Sequence, residues 1–166
     1  QVMRLLGLDV GSKTIGVAVS DPLGITAQAV MTIPIDEDRH NFGMRSLKKL
    51  VREYEADGFV LGLPKNMDGT AGRSVSRSKA MGERLEQKFG LPVYYDDERL
   101  TTVASERILV EEAGMHDRRQ RKEVVDQMAA VLILQNYLDL QRKHGERQIL
   151  NLQRKTMSEI LQQLMN

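Results

Sequence analysis

The sequence predicts an α/β fold, a five-stranded mixed sheet with helices on both faces, and three observations predict it. Two apolar runs, Met3–Val10 and Thr14–Ser20, flank a tight Gly11-Ser12-Lys13 turn and read as a β-hairpin. The short all-apolar run Phe59–Leu63 has the composition of a strand covered on both faces. Segments with apolar residues at helical spacing then alternate with such runs. The resulting order, three strands followed by helix, strand, helix, strand and two helices, is that of a mixed sheet between helical layers.

In the first run Leu6, Leu8 and Val10 face one way, and Gly7, Asp9 and Gly11 the other. Asp9 is a lone charge on an otherwise apolar strand, and a partly buried carboxylate is costly unless it is paired, hydrogen-bonded or metal-bound. The flanking glycines open the backbone to a close-approaching ligand; a pair with Lys13 across the turn is the structural alternative. Gly24–Ile33 continues the sheet as a third, antiparallel strand ending at Pro34. Asp36–His40 is a polar link into a helix carrying Leu47, Leu50, Val51 and Tyr54, which Gly58 is expected to close. A second helix is expected over Ser74–Phe89, stopped by Gly90, and a fifth strand over Leu91–Tyr95. Thr101 or Thr102 is placed to cap a third helix through Ala113, without the capping-box acid. A fourth helix runs from Gln120 to Arg142.

This layout brings further carboxylates to one edge. Asp96-Asp97-Glu98-Arg99 follows the fifth strand, which is expected to run parallel to the first and fourth. Ligand sites in open α/β sheets gather at the carboxyl ends of such strands, so Asp9 and Glu98 share an edge. On the last helix Asp126 shares a stripe with Ala130, Ile133 and Tyr137. Taken singly, Asp126 also reads as a first-turn acid favoured by the helix dipole, and Glu98 as a solvated loop residue. Three acids from three elements read together as an oxygen-only site suited to Mg²⁺ or Mn²⁺.

Composition bounds the rest. A chain of 166 residues fits one domain with a real core. It has no cysteine, so disulfides and thiolate metal sites are out and a cytoplasmic setting fits. No stretch is apolar enough to span a bilayer, and no signal-peptide pattern opens the chain. Gln1-Val2 reads as an addition ahead of Met3, the expected natural start. A net charge of +1 means a nucleic-acid partner must be held by local basic patches. One such patch is Arg118, Arg119, Arg121 and Lys122, whose charge opposes the dipole preference of a helix start; a solvated face is the alternative reading. Lys13, Lys65, Asn66, Arg73 and Arg99 fall in loops expected at the same edge. Aromatics are scarce and Trp is absent, which favours reading of shape and phosphates over base stacking. His40, His116 and His144 lie in polar stretches without metal-ligand spacing and read as surface residues.

Four segments in series, Gly7–Asp21, Leu61–Gly69, Asp97–Thr102 and Asp126–Val131, resemble the YqgF family, also called RuvX, over Met3 to about Leu138. The resemblance implies an RNase H-like fold. It also implies a nuclease that matures the 5′ end of pre-16S ribosomal RNA, or a Holliday junction resolvase. By the same resemblance Asp9, Glu98 and Asp126 would be the catalytic acids, and a ribosomal particle a partner. The family chemistry would be metal-dependent phosphodiester hydrolysis needing no histidine base. Junction resolvases of this fold carry a further acid one turn after the first helix acid; here that position is Ala129. The Asp9-Val-Gly-Ser turn also resembles the phosphate loop of actin, sugar-kinase and Hsp70 ATPases, which close two such domains around a nucleotide. A non-catalytic RNA-binding assembly factor is the third class. Residues 3–142 are the expected nuclease domain. The tail, 143–166, carries Met157, Ile160, Leu161, Leu164 and Met165 on one helical face, and is expected either as a frayed helix or as a docking segment for a partner or second copy. Oligomeric state is left open.

Overall fold

A computed structural model describes residues 2–64, 72–98 and 117–166, with side chains for these except 64, 97, 98 and 118–126. Five strands, β1 (Leu5–Val10), β2 (Thr14–Ser20), β3 (Ala27–Pro34), β4 (Gly58–Pro64) and β5 (Val93–Glu98), form one sheet in the order β3-β2-β1-β4-β5. The first three are an antiparallel meander, and β4 and β5 run parallel to β1. The helices are α1 (Met44–Glu53), α2 (Arg73–Phe89) and α3 (Arg118–Met165). The helix expected over 101–113 lies outside the described residues.

The alternation along β1 sorts the core into two layers. Leu6, Leu8 and Val10 join Ile15, Val17, Phe59 and Leu61 beneath Leu47 and Leu50 of α1 and Met81 and Leu85 of α2. On the other face Leu5, Ala18 and Val60 meet Ala130, Ile133, Leu134 and Leu138 of α3. Burying each of these leucines or isoleucines contributes about 1.5–3 kcal/mol, so α3 is held chiefly by the turns between Ala130 and Leu138. Gly7 makes that docking possible: a Cβ there would stand 2.6 Å from Leu134 Cβ and 3.0 Å from the Ala130 carbonyl.

Three boundaries differ from the sequence expectation. Gly58 opens β4 instead of closing α1, because α1 already ends at Glu53 and Glu55 takes a left-handed φ of 50°. A side chain at position 58 would press on the Pro92 carbonyl at 3.0 Å and on Leu5 Cδ2 at 3.2 Å, so glycine is wanted there for close strand packing. The third strand starts at Ala27, since Asp21 Oδ1 accepts from the backbone N–H groups of Ile25 and Thr26 at 2.7 and 2.9 Å and folds 21–26 into a turn. Those donors, Thr26 foremost, hold the Asp21 carboxyl below its ordinary value. The fifth strand reaches Glu98, which is its last residue and not a loop residue beyond it.

The tail also differs: α3 continues unbroken past Arg142 to Met165, with Ile149, Leu150, Leu152, Met157, Ile160 and Leu161 exposed. The costly helix nucleus is already formed where α3 packs on the sheet, and propagation from it is cheap.

Replacing Gly7 by Ala should lower stability by about 1–3 kcal/mol, because the new methyl meets backbone and a Cβ that cannot swing away. The Gly62→Ala change should cost less, since its Cβ meets the terminal Cδ1 of Ile133, which can rotate. Urea denaturation of the two variants measures the order; equal midpoints for Gly7→Ala and wild type would contradict this α3 docking.

Candidate active site

The candidate site is the edge where β1, β4 and β5 end. Asp9 is half-buried and pairs in register with Gly16 of β2. One step on from the Leu8–Leu61 pair it comes level with Gly62, which in turn pairs with Asp96 of β5. Glu98 lies two residues further along β5, opposite Pro64. Two strand spacings of about 4.8 Å and two rises of about 3.3 Å separate the Cα atoms of Asp9 and Glu98 by about 12 Å. Strand periodicity puts positions 94, 96 and 98 on the α3 face, where Tyr94 stacks on Tyr137 at 5.4 Å.

The third acid is placed by the direction of α3. Leu138 packs in the cluster of Leu5, and Leu134 and Ala130 abut Gly7, so α3 runs antiparallel to β1. Asp126 is one helical turn, about 6 Å, before Ala130, and Asp9 is about 6.6 Å beyond Gly7. The backbone therefore carries Asp126 past Ala130 toward the end of β1 that bears Asp9. Ala129, the position where the resemblance leads one to look for a further acid, is 3% exposed and belongs to the packed core. Among the described side chains no group of three acids or histidines forms; of the three acids only the Asp9 side chain is among them.

The predicted contact residues fare unequally. Lys13 is exposed on the β1–β2 turn, and its carbonyl accepts from the Ile35 N–H at 2.8 Å, which ties that turn to the end of β3. Arg73 is exposed at the start of α2. Lys65, Asn66 and Arg99 lie outside the described residues, and Arg118, Arg119, Arg121 and Lys122 open α3 with side chains outside the description. His40 and His144 are exposed, as expected; His116 lies outside the described residues.

Two polar residues missed in the sequence tie α3 to the outer strands of the sheet. Asn136 Nδ2 donates to Asp96 Oδ1 at 2.8 Å, and Asp96 is 3% exposed. Gln135 clamps the start of β3, its Oε1 accepting from the Ala27 N–H and its Nε2 donating to the Ile25 carbonyl, both at 2.9 Å. The available signal was the Gln135-Asn136 pair interrupting the apolar run of the helix. Burial pushes the Tyr137 phenol up, with Tyr94 adding to it, so Tyr137 keeps its proton near neutral pH.

A five-stranded mixed sheet in the order β3-β2-β1-β4-β5, with α3 packed across one face, is an RNase H-like α/β fold. Residues 3–140 match the RuvX family, described as Holliday junction resolvase; the chain belongs to that family. A relative from Lactobacillus delbrueckii subsp. bulgaricus, named "Putative pre-16S rRNA nuclease", is 99% identical over 141 residues, 85% of this chain and 99% of the relative. A relative of the same name from Streptococcus sanguinis is 61% identical over 137 residues, 82% of this chain and 98% of its own. RuvC of T. thermophilus, solved with a Holliday junction substrate, shares the fold with a TM-score of 0.51 at 12% identity, over 84% of this chain and 96% of that one. No helix among the described residues is long and apolar enough to cross a membrane.

Removing the Asn136 amide leaves a buried carboxylate oxygen without that donor, so Asn136→Ala should cost about 1–3 kcal/mol. Cleavage should fall as well, since Asp96 and Glu98 share a strand. Melting temperature and cleavage rate measured together check this; a variant unchanged in both would remove Asn136 from the positioning of the edge.

Proposed function

We propose that this chain hydrolyses phosphodiester bonds of precursor 16S ribosomal RNA at its 5′ end, with Asp9, Glu98 and Asp126 as the catalytic and metal-holding acids. The observation that supports the reading is direction: α3 runs against β1, so position 126 lies toward the edge where β1 carries Asp9 and β5 ends on Glu98. Three carboxylates with no sulfur or imidazole donor fit a hard cation such as Mg²⁺ or Mn²⁺. Bound there, such an ion would lower the pKa of a water and offset charge on the leaving oxygen.

The chain's own residues do the rest. The space over Gly7 is taken by Leu134 and the Ala130 carbonyl, so a phosphate reaches Asp9 from beyond the end of β1. Lys13, Lys65, Asn66, Arg73 and Arg99 grip the strand around the edge, and Arg118, Arg119, Arg121 and Lys122 hold it at the start of α3. Guanidinium and ammonium groups contact phosphates without reading bases, which suits a substrate recognised by shape. The working setting is the cytoplasm, on a ribosomal particle. Residues 3–142 form the nuclease domain, and 143–166 stand outside it.

Two expectations test this. Like charges gathered at one edge oppose folding, so in EDTA Asp126→Asn should be as stable as wild type or more stable by about 1 kcal/mol. In millimolar Mg²⁺ wild type should gain melting temperature and the variant much less, because the ion binds the folded state, and the variant should lose nearly all cleavage. Asp9→Asn should follow the same pattern. A variant that melts well below wild type in EDTA yet still cleaves in Mg²⁺ would make Asp126 structural.

The family description favours a second substrate, the four-way DNA junction. Incubation with pre-16S RNA, single-stranded RNA and a four-way junction in Mg²⁺ or Mn²⁺ separates the two, and RNA should be cut in preference. Paired symmetric nicks in the junction with RNA left intact would reverse that order, and a protein that binds RNA but cuts neither would be an assembly factor.

A further inference from the structure

The opposite face of the same edge carries a second feature. A cleft of about 500 Å³ lies between the end of β1 and the start of α2, with Val10, the residue after Asp9, in its wall. Arg73, Arg77 and Arg84 of α2 line it together with Ser76, against a single lining carboxylate, Glu37. The whole chain has a formal charge of only +1, so this is a local concentration of positive charge among the described residues.

The three guanidiniums are held in different ways. Arg84 lies over the Phe42 ring, 3.5 Å from its centroid, which fixes its plane at the cleft wall. Arg77 Nε pairs with Glu37 Oε1 at 2.7 Å. Arg73 is exposed and makes no ion pair among the described residues. No acid stands in the first turn of α2 to compensate them.

We propose that this cleft binds the phosphodiester backbone of a single nucleic-acid strand, on the segment flanking the bond cut at the Asp9 edge. The proposal rests on the nuclease reading for its substrate and adds Arg77, Arg84, Ser76 and Phe42 to the residues that hold it. Positions 73, 77 and 84 fall on one face of α2 and span about 16 Å of helix. Successive phosphates of a strand repeat at about 3.4 Å along a duplex axis, so the row fits several phosphates better than one small anion. Val10 and Asp9 sit on opposite faces of one strand end, which lets a strand pass from the arginines over the end of β1 to the acids. Glu37 competes with phosphate for Arg77 and moderates the affinity.

The test is binding of a 5′-labelled single-stranded RNA by fluorescence anisotropy in EDTA, where nothing is cut, at several salt concentrations. Arg73→Ala/Arg77→Ala should bind about 10-fold more weakly near 0.15 M salt, with the logarithmic salt slope shallower by about 1.4. The Glu37→Gln change should bind more tightly with a steeper slope, an effect that damage to folding would not produce. Unchanged affinity and slope in both variants would overturn the cleft, as would adenosine monophosphate binding wild type as tightly as the strand does. The nuclease reading is judged separately: wild type that binds RNA in EDTA but cuts no nucleic acid in Mg²⁺ sinks that reading and leaves the cleft standing.

Discussion

The absence of a side chain at Gly7 is the constraint on which the rest of the structure depends. It lets the backbone of β1 lie against Ala130 and Leu134, and that contact sets both the distance of α3 from the sheet and its register along β1. The approach of position 126 to the end of β1 inherits this register, because four residues of helix and two of strand advance by about 6 and about 6.6 Å. A helix displaced by one turn would bury different residues, and would also carry position 126 past the end of β1. Packing and site geometry are therefore fixed by one contact, and Ile133 over Gly62 repeats the device on β4.

Polar clamps complete what the glycines begin. Hydrophobic burial is non-directional, so Leu134, Ile133 and Leu138 hold α3 down without pinning its rotation or slide. Gln135 reaches β3 and Asn136 reaches β5, to the two outer strands of the sheet. Hydrogen bonds with fixed directions on both flanks supply the specificity that apolar contact lacks, and a buried acid such as Asp96 is tolerable because the Asn136 amide meets it.

Much of this was legible in the sequence because it rests on periodicity. The period of two in β1 predicted which face of Leu6, Leu8 and Val10 is buried, and the stripe from Asp126 to Tyr137 predicted the docked face of the last helix. Signals that depend on tertiary context were not legible. Gly58 has the look of a helix stop, and only the approach of Pro92 and Leu5 shows that it begins a strand. Asp96 and Glu98 were grouped as loop acids because a charged strand end defies the usual composition of strands; pairing with Gly62 and Pro64 of β4 overrides that preference. A helical face is legible in the tail, but not that α3 runs unbroken into it to Met165. The tail side chains are exposed among the described residues, and the continuation propagates from a helix nucleus formed many residues earlier.

Charge segregation gives the last step. In the proposed site three acids at one edge would repel a polyanion, so a chain of net charge +1 acting on nucleic acid would have to attract it from places set apart from the acids. Salt bridges between arginines and those acids would do so, and would also hold the acids' charge in pairs unavailable to a cation. The β-sheet offers this by geometry: Val10 and Asp9 are adjacent in sequence yet face opposite layers, so Arg73, Arg77 and Arg84, which line the Val10 side, lie across β1 from the acids proposed as the catalytic set. The low-dielectric core between the two layers carries no screening ions, but the separation in space weakens direct pairing. Glu37, on the arginine side, takes up part of that positive charge through Arg77. In the proposed arrangement attraction and chemistry fall on two faces of one strand end, and the short hairpin turn at Gly11 is where a bound strand would pass between them.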